Sequence, residues 1–168
     1  MAFDSQPVLK GELLELRPLR SEDWRDLYAV ASDPLIWEQH PDDRHVEAVF
    51  QEFFRVAMAS GGALIAADAS TQRVIGTSRF HGYDAEKSEV EIGWTFLARS
   101  HWGGIYNGEM KRLMLQHAFQ FVDRVLFIIA PGNLRSQRAV EKIGGLREGS
   151  KPDEGGGENY VYSITAPD

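Results

Sequence analysis

The sequence predicts an α+β (mixed α/β) architecture around one central sheet. Three observations predict it. Strand-like and helix-like segments alternate along the chain, with no repeat and no composition break to mark a linker. Residues 88–96 alternate with a period of two, as a strand does. Residues 107–121 instead carry an apolar stripe at helical spacing, through Met110, Leu113, Met114, His117, Ala118 and Phe121. The length, 168 residues, fits one domain over 1–168.

Taken in order, residues 13–17 form a short strand that Pro18 closes, because proline cannot donate to a ladder. Ser21, Glu22 and Asp23 look like a helix start, with Ser21 as N-cap and Trp24, Leu27, Tyr28 and Ala31 along one face. Asp33-Pro34 ends that helix. A second helix covers residues 46–59, with Val49, Phe50, Phe53 and Val56 at helical spacing, and Gly61-Gly62 breaks it. Residues 63–68 and 74–82 are two strands joined by a turn at Ser70-Thr71-Gln72.

In the strand at 88–96, Val90, Ile92, Trp94 and Phe96 are expected on one face, and Glu89, Glu91, Gly93 and Thr95 on the other. Residues 125–130 read as a continuous apolar strand buried on both faces. Pro131-Gly132-Asn133 leads into a helix reaching Ile143, which Gly144-Gly145 terminates. Residues 146–150 and 159–165 are the last strands, around a glycine-rich loop at 151–158.

Composition narrows the function. The net charge of −7 disfavours nucleic acid and anionic membrane as partners. With no cysteine there is no disulfide scaffold, thiolate-bound metal or thiol nucleophile. No metal is expected, since the five histidines lack ligand spacing. The N-terminal segment has neither a positive region nor a long apolar core, and no apolar run approaches the about 18 residues of a membrane span, so a cytoplasmic protein is expected.

Two constellations carry chemistry. In the first, a strand runs through Glu91-Ile-Gly-Trp into His101-Trp-Gly-Gly-Ile-Tyr-Asn-Gly-Glu-Met. A helix start presents unpaired N–H groups, and glycines let a diphosphate approach them. A plain tight turn fits that pattern equally well. In the second, Asn133 opens a helix with Ser136 in its first turn; a capping asparagine and a surface serine account for it physically. Arg135, Arg138 and Lys142 are either solvated charges or neighbours of a polyphosphate.

Together the two constellations resemble the GNAT superfamily of N-acetyltransferases, in particular its RimJ/RimL-like branch. The likeness runs from Leu14-Glu-Leu-Arg-Pro-Leu through Glu91-Ile-Gly-Trp and Trp-Gly-x-x-Tyr-Asn-x-Glu to Asn133-x-x-Ser-x-x-Ala-x-Glu-Lys-x-Gly. It implies a GNAT-like fold with a mixed, mostly antiparallel sheet flanked by helices. It also implies acetyl-CoA as co-substrate. Backbone amides of Trp102, Gly103, Gly104, Ile105, Tyr106 and Asn107 would hold the pyrophosphate, and the strand edge at Trp94, Thr95, Phe96 and Leu97 would pair with the pantetheine. Asn133 would touch the pantetheine arm, and Ser136 would sit beside the leaving thiolate.

The implied reaction is direct attack by a primary amine, with no covalent enzyme intermediate. Glu91 is the candidate base, with Glu89 close behind on the same face. The acceptor, a small molecule or a protein N-terminus, is left open, and the acidic balance mildly favours a cationic one. Trp37, His40, Tyr83 and Trp94 are candidates for its pocket, although packing explains each individually. A homodimer is allowed, with no feature that specifies it. Val140 stands where many members carry a tyrosine, which leaves Ser136 as the proton donor. Ile105 replaces the second glycine of the family turn.

A β-branched residue is costly where φ is positive. On that ground Ile105→Gly is expected to tighten coenzyme binding, and the competing reading is a catalytically weak binding or regulatory module.

Overall fold

The computed structural model describes residues 2–168; Met1, which begins the segment read for a leader, lies outside them. The strands are β1 (Leu9–Lys10), β2 (Leu14–Pro18), β3 (Ala63–Asp68), β4 (Val74–Asp84), β5 (Glu89–Leu97), β6 (Arg124–Ile129), β7 (Leu146–Pro152) and β8 (Glu158–Thr165). They form one eight-stranded sheet in the order β1-β2-β3-β4-β5-β6-β8-β7. The helices are α1 (Trp24–Ala31), α2 (Glu47–Ser60), α3 (Ile105–Ala118) and α4 (Leu134–Lys142). Every strand pair is antiparallel except β5 with β6. None of the helices among the described residues is long and apolar enough to cross a membrane.

Strand alternation sends side chains to two cores, one on each face of the sheet. Leu64 and Ala66 of β3 pack with Met110, Leu113 and Met114 of α3. Ala63 and Ile65 pack with Leu27 of α1 and Phe50, Phe53 and Phe54 of α2. The sheet is therefore covered on both sides, which explains why all six residues of β3 are buried.

Several local expectations needed correction. β1 was not foreseen, because a two-residue strand carries no period to detect. Ser21 does not cap α1. Residues Ser21–Asp23 form a 3-10 turn, and the Asp23 carboxylate takes up the Arg20 N–H (2.8 Å) and the Arg17 guanidinium (2.9 and 2.8 Å). β6 is not buried on both faces, since its residues alternate between buried and half-buried.

The largest departure is in β5. Arg79 of β4 lies opposite Gly93, yet Thr77, two residues earlier in β4, lies opposite Phe96, three residues on in β5. One extra residue on β5 is a β-bulge, and Trp94 adopts φ 54° there. The bulge reverses the alternation. Val90, Ile92, Trp94 and Phe96 therefore do not share one face: Val90 and Ile92 join the α3 core, whereas Phe96 joins the α1–α2 core, against which Trp94 packs. Thr95 is thereby turned toward α3.

Candidate active site

β5 and β6 pair only from Glu89–Glu91 to Arg124–Leu126. Beyond that point the two parallel strands carry no ladder, and a cavity of about 510 Å³ occupies the gap. Its walls come from β5, β6, the connection between α1 and α2, the turn before α3 and the first residues of α4.

The turn is held from behind. His101 Nε2 lies 2.9 Å from Asp68 Oδ2, the Tyr106 ring packs edge-on against His101, and the Trp102 indole N–H donates to Leu97 O (2.9 Å). The His101 hydrogen bond, helped by the Ser70 hydroxyl and the N–H groups of Ser70 and Thr71, holds the Asp68 carboxyl well below the usual carboxylate range. Glu109 fastens the same end of α3, its carboxylate accepting the N–H groups of Glu12 (2.9 Å), Leu13 (2.8 Å) and Leu14 (2.9 Å).

The positive φ values of this turn fall on Gly103 (118°) and Gly104 (98°). Ile105 is the first residue of α3, helical in backbone and 71% exposed. The strain expected at Ile105 is therefore absent, because the preceding glycine carries the left-handed step. The first backbone hydrogen bond into α3 runs from Gly108 N–H to Gly104 O. The N–H groups of Gly103, Gly104, Ile105, Tyr106 and Asn107 find no protein acceptor among the described residues. Five free donors at the positive end of a helix form a cradle for anionic oxygens.

Two cations flank the cradle. Lys142 Nζ comes to 2.8 Å from where a Cβ on Gly104 would stand, while the φ of 98° there is what calls for glycine. The Arg135 guanidinium stacks 4.2 Å from the Trp102 ring.

Of the predicted site residues, Glu91, Trp94, Thr95, Phe96 and Leu97 of β5 line the cavity. So do Trp102, Gly103, Gly104, Asn107, Asn133 and Ser136. Ile105 and Tyr106 are not among the lining residues. Asn133 does cap α4, its side-chain oxygen accepting the Ser136 N–H at 3.3 Å. Val140 is buried and lines the cavity.

The two candidate acids separate. Glu89 is held by Arg124 at 2.6 Å and lies outside the cavity lining. Glu91 lines the cavity, and burial pushes its pKa up to about 7 against the opposing pull of Lys151 and Arg79. Of the aromatic candidates, Trp37, His40 and Trp94 line the cavity, while Tyr83 stacks on Phe3 elsewhere. Burial, then Arg44, pulls His40 down to about 4, so its imidazole is neutral near pH 7.

Lys111 was missed. It is 5% exposed, lines the cavity and donates to Thr95 Oγ1 at 2.7 Å, and burial alone pulls it down to about 7. The available clue was its position beside Met110 on a helix whose next turn is apolar.

A sheet opened between two parallel strands, with free helix-terminal donors at one end of the gap, is shaped for an extended ligand that carries an anionic group. The chain belongs to the acetyltransferase (GNAT) domain family, whose model matches residues 14–145. The Uncharacterized N-acetyltransferase YnaD of Bacillus subtilis (strain 168) is 27% identical over 141 residues, covering 81% of each chain. An acetyltransferase (GNAT family) from Bacillus anthracis superposes with TM-score 0.77 at 25% identity, over 95% of this chain and 98% of that one. A GCN5-related N-acetyltransferase from Brucella melitensis, 19% identical, shares the fold with TM-score 0.81 over 95% of this chain and 79% of its own. The sheet, mostly antiparallel and flanked by four helices, is the GNAT fold.

Proposed function

We propose that this chain transfers an acetyl group from acetyl-CoA to a primary amine by direct attack. The observation that carries the reading is one cavity lined both by Gly103, Gly104 and Asn107 of the donor turn and by the half-buried Glu91. The pyrophosphate sits on those donors, with Lys142 and Arg135 supplying positive charge. The pantetheine amides pair with the open edge of β5 beyond Glu91, as an added strand would, which brings the thioester to Asn133 and Ser136.

In the transfer step the amine nitrogen bonds to the thioester carbonyl carbon and the carbon–sulfur bond breaks. The surplus proton on nitrogen passes to Glu91, through water, and the departing thiolate takes a proton at the Ser136 side. The products are an acetamide and free coenzyme A. A carboxylate with a pKa of about 7 is suited to accept that proton at neutral pH.

The order of motifs supports placement in the RimJ/RimL-like branch, and one sheet spanning the chain supports a single domain over 1–168. A catalytically weak binding module loses its main support, because the phosphate turn is not strained at Ile105. Melting the protein with millimolar acetyl-CoA tests the binding half of the proposal, since a ligand selective for the native state raises Tm. Thiol release in the presence of an amine panel tests the transfer half. An unchanged Tm overturns the proposal.

A further inference from the structure

The wall built by the connection between α1 and α2 carries Arg44, and Arg79 of β4 lies behind it outside the cavity lining; acetyl transfer itself has no use for either. Arg44 lines the cavity, its guanidinium 4.6 Å from the Phe53 ring centroid and 5.6 Å from that of Trp37. Arg79 of β4 reaches the same Phe53 ring (5.5 Å) and stacks on Trp94 at 4.4 Å. It is 3% exposed, and its Nε and Nη2 are buried with no hydrogen-bond partner among the described residues. Arg44 has one carboxylate partner, Asp42, which is itself 56% exposed and 3.1 Å away.

Two guanidiniums gathered at one phenyl ring repel each other. Burial pulls Arg79 down to about 10, and the charge of Arg44 adds to the effect. Buried guanidinium N–H groups without acceptors are unfavourable in a protein left to itself. A local excess of one charge in a cavity identifies the charge of the ligand group that complements it. The net charge of −7 suggests a cationic acceptor. Inside a poorly solvated cavity, however, the nearest charges set the field, and here they are cationic.

Spacing narrows the chemistry. Arg79 lies opposite Gly93 and His81 opposite Glu91, so Arg79 and Glu91 are diagonal neighbours on one face of the sheet. Such neighbours are about 7–8 Å apart at Cα. Arg44 meets Arg79 at the Phe53 ring, so a ligand with its anionic group at Arg44 and its amine at Glu91 is a short one.

Accepting the acetyl-transfer reading above, we propose that the acceptor is a short amino-carboxylate, such as an α-amino acid. Arg44 bonds its carboxylate directly, Arg79 behind it supplies the second positive charge, and its amine faces Glu91.

The experiment measures acetyl-CoA-dependent thiol release with the proteinogenic amino acids, each matched to its carboxamide and to its decarboxylated amine. Acids are expected to exceed their amides by about tenfold or more in kcat/KM, the ratio corresponding to about 1.4 kcal/mol of binding. Arg44→Gln is expected to raise KM for the acid about tenfold, to leave that for the amide nearly unchanged, and to preserve the Tm rise caused by acetyl-CoA. Arg79→Lys, which keeps the charge if Arg79→Met fails to fold, is expected to retain the preference for acids. Equal use of acids and amides, preference for the simple amines, or turnover of neither set overturns the carboxylate assignment. The coenzyme-induced Tm rise is read in the same samples. If it persists, the failure is confined to the acceptor; if it is absent, the acetyl-transfer reading itself falls.

Discussion

At Glu91 the demands of burial and of proton transfer coincide. Burial raises its pKa to about 7 from the usual 4.5, so the carboxylate is basic enough to take a proton from an ammonium yet largely ionised just above neutrality. Activity that needs the ionised form rises with pH through about 7, and a kcat/KM profile should show that limb. Glu91→Gln should remove the limb and lower kcat by about 10²–10⁴-fold. The same shift has a stability sign. A carboxyl whose pKa is raised by folding contributes stability below about pH 4.5 that is lost as pH rises through about 7. The glutamine variant should therefore melt above the wild type at pH 8 and close to it at pH 4.

Lys111 has the opposite titration. Its pKa falls to about 7 from 10.5, so wild-type stability is fully present above pH 10.5 and is lost as pH falls toward 7. Lys111→Met, of similar volume and uncharged, should raise Tm at neutral pH, by about 2–4 °C for each kcal/mol recovered in a chain of this size. The gain should shrink toward pH 10.5, and a pH-independent gain would mean that packing rather than charge is responsible. At Ile105 the expectation reverses. The side chain is exposed on the first turn of α3, so Ile105→Gly relieves nothing and costs about 0.5–1 kcal/mol of helix stability. Calorimetry with coenzyme A should show no gain in affinity.

At the scale of elements, patterns of apolar residues located the long helices and strands within a few positions, because both cores select for period. α3 is the clearest case, its predicted stripe being the buried face; in α2 the stripe is rotated, since Phe50 and Phe53 are buried but Val49 and Val56 are exposed, with Phe54 and Ala57 buried instead. Features set by tertiary partners were not legible. The β5 bulge has no compositional mark, since Gly93-Trp94-Thr95 continues the alternation in the sequence, and only pairing with β4 shows the extra residue. Its consequence reaches the site, as Thr95 turns toward Lys111 and Trp94 toward Arg79. Glu109 is a second case. The sequence placed it in the family turn, whereas in space it joins α3 to the start of β2 by accepting three backbone N–H groups. Glu109→Ala strands those donors in a site where the side chain is 9% exposed, and should cost about 2–4 kcal/mol in urea unfolding. Glu109→Gln, which keeps one acceptor oxygen, should recover part of that loss. Equal losses for the two variants would place the stabilisation in side-chain packing.

Across the whole molecule, the site exists because the sheet does not close. β2, β3 and β4 have neighbours on both sides, whereas β5 loses its partner after Glu91, and its edge faces the cavity. An unpaired parallel edge in the middle of a sheet leaves backbone donors and acceptors unsatisfied unless something docks there. The motif order in the sequence made the position of this opening legible, but the arginine pair beside the cavity depends on residues 35 positions apart, Arg44 in the lining and Arg79 behind it, converging on one phenylalanine. Hydrogen exchange read residue by residue offers a test of the whole arrangement. In the free protein, the amides of residues 103–107 have no acceptor among the described residues and should exchange rapidly, as should those on the open edge of β5. Saturating coenzyme A should slow both groups together, because one ligand spans the cradle and the edge. Amides in β2, β3 and β4 already sit in ladders on both sides, and should slow only as far as global stability rises, by about 2.7 kcal/mol at a hundredfold excess over Kd. Protection confined to residues 103–107 would mean that the anion cradle binds phosphate without placing a pantetheine arm along β5. The route from turn to Glu91 would then have to be redrawn.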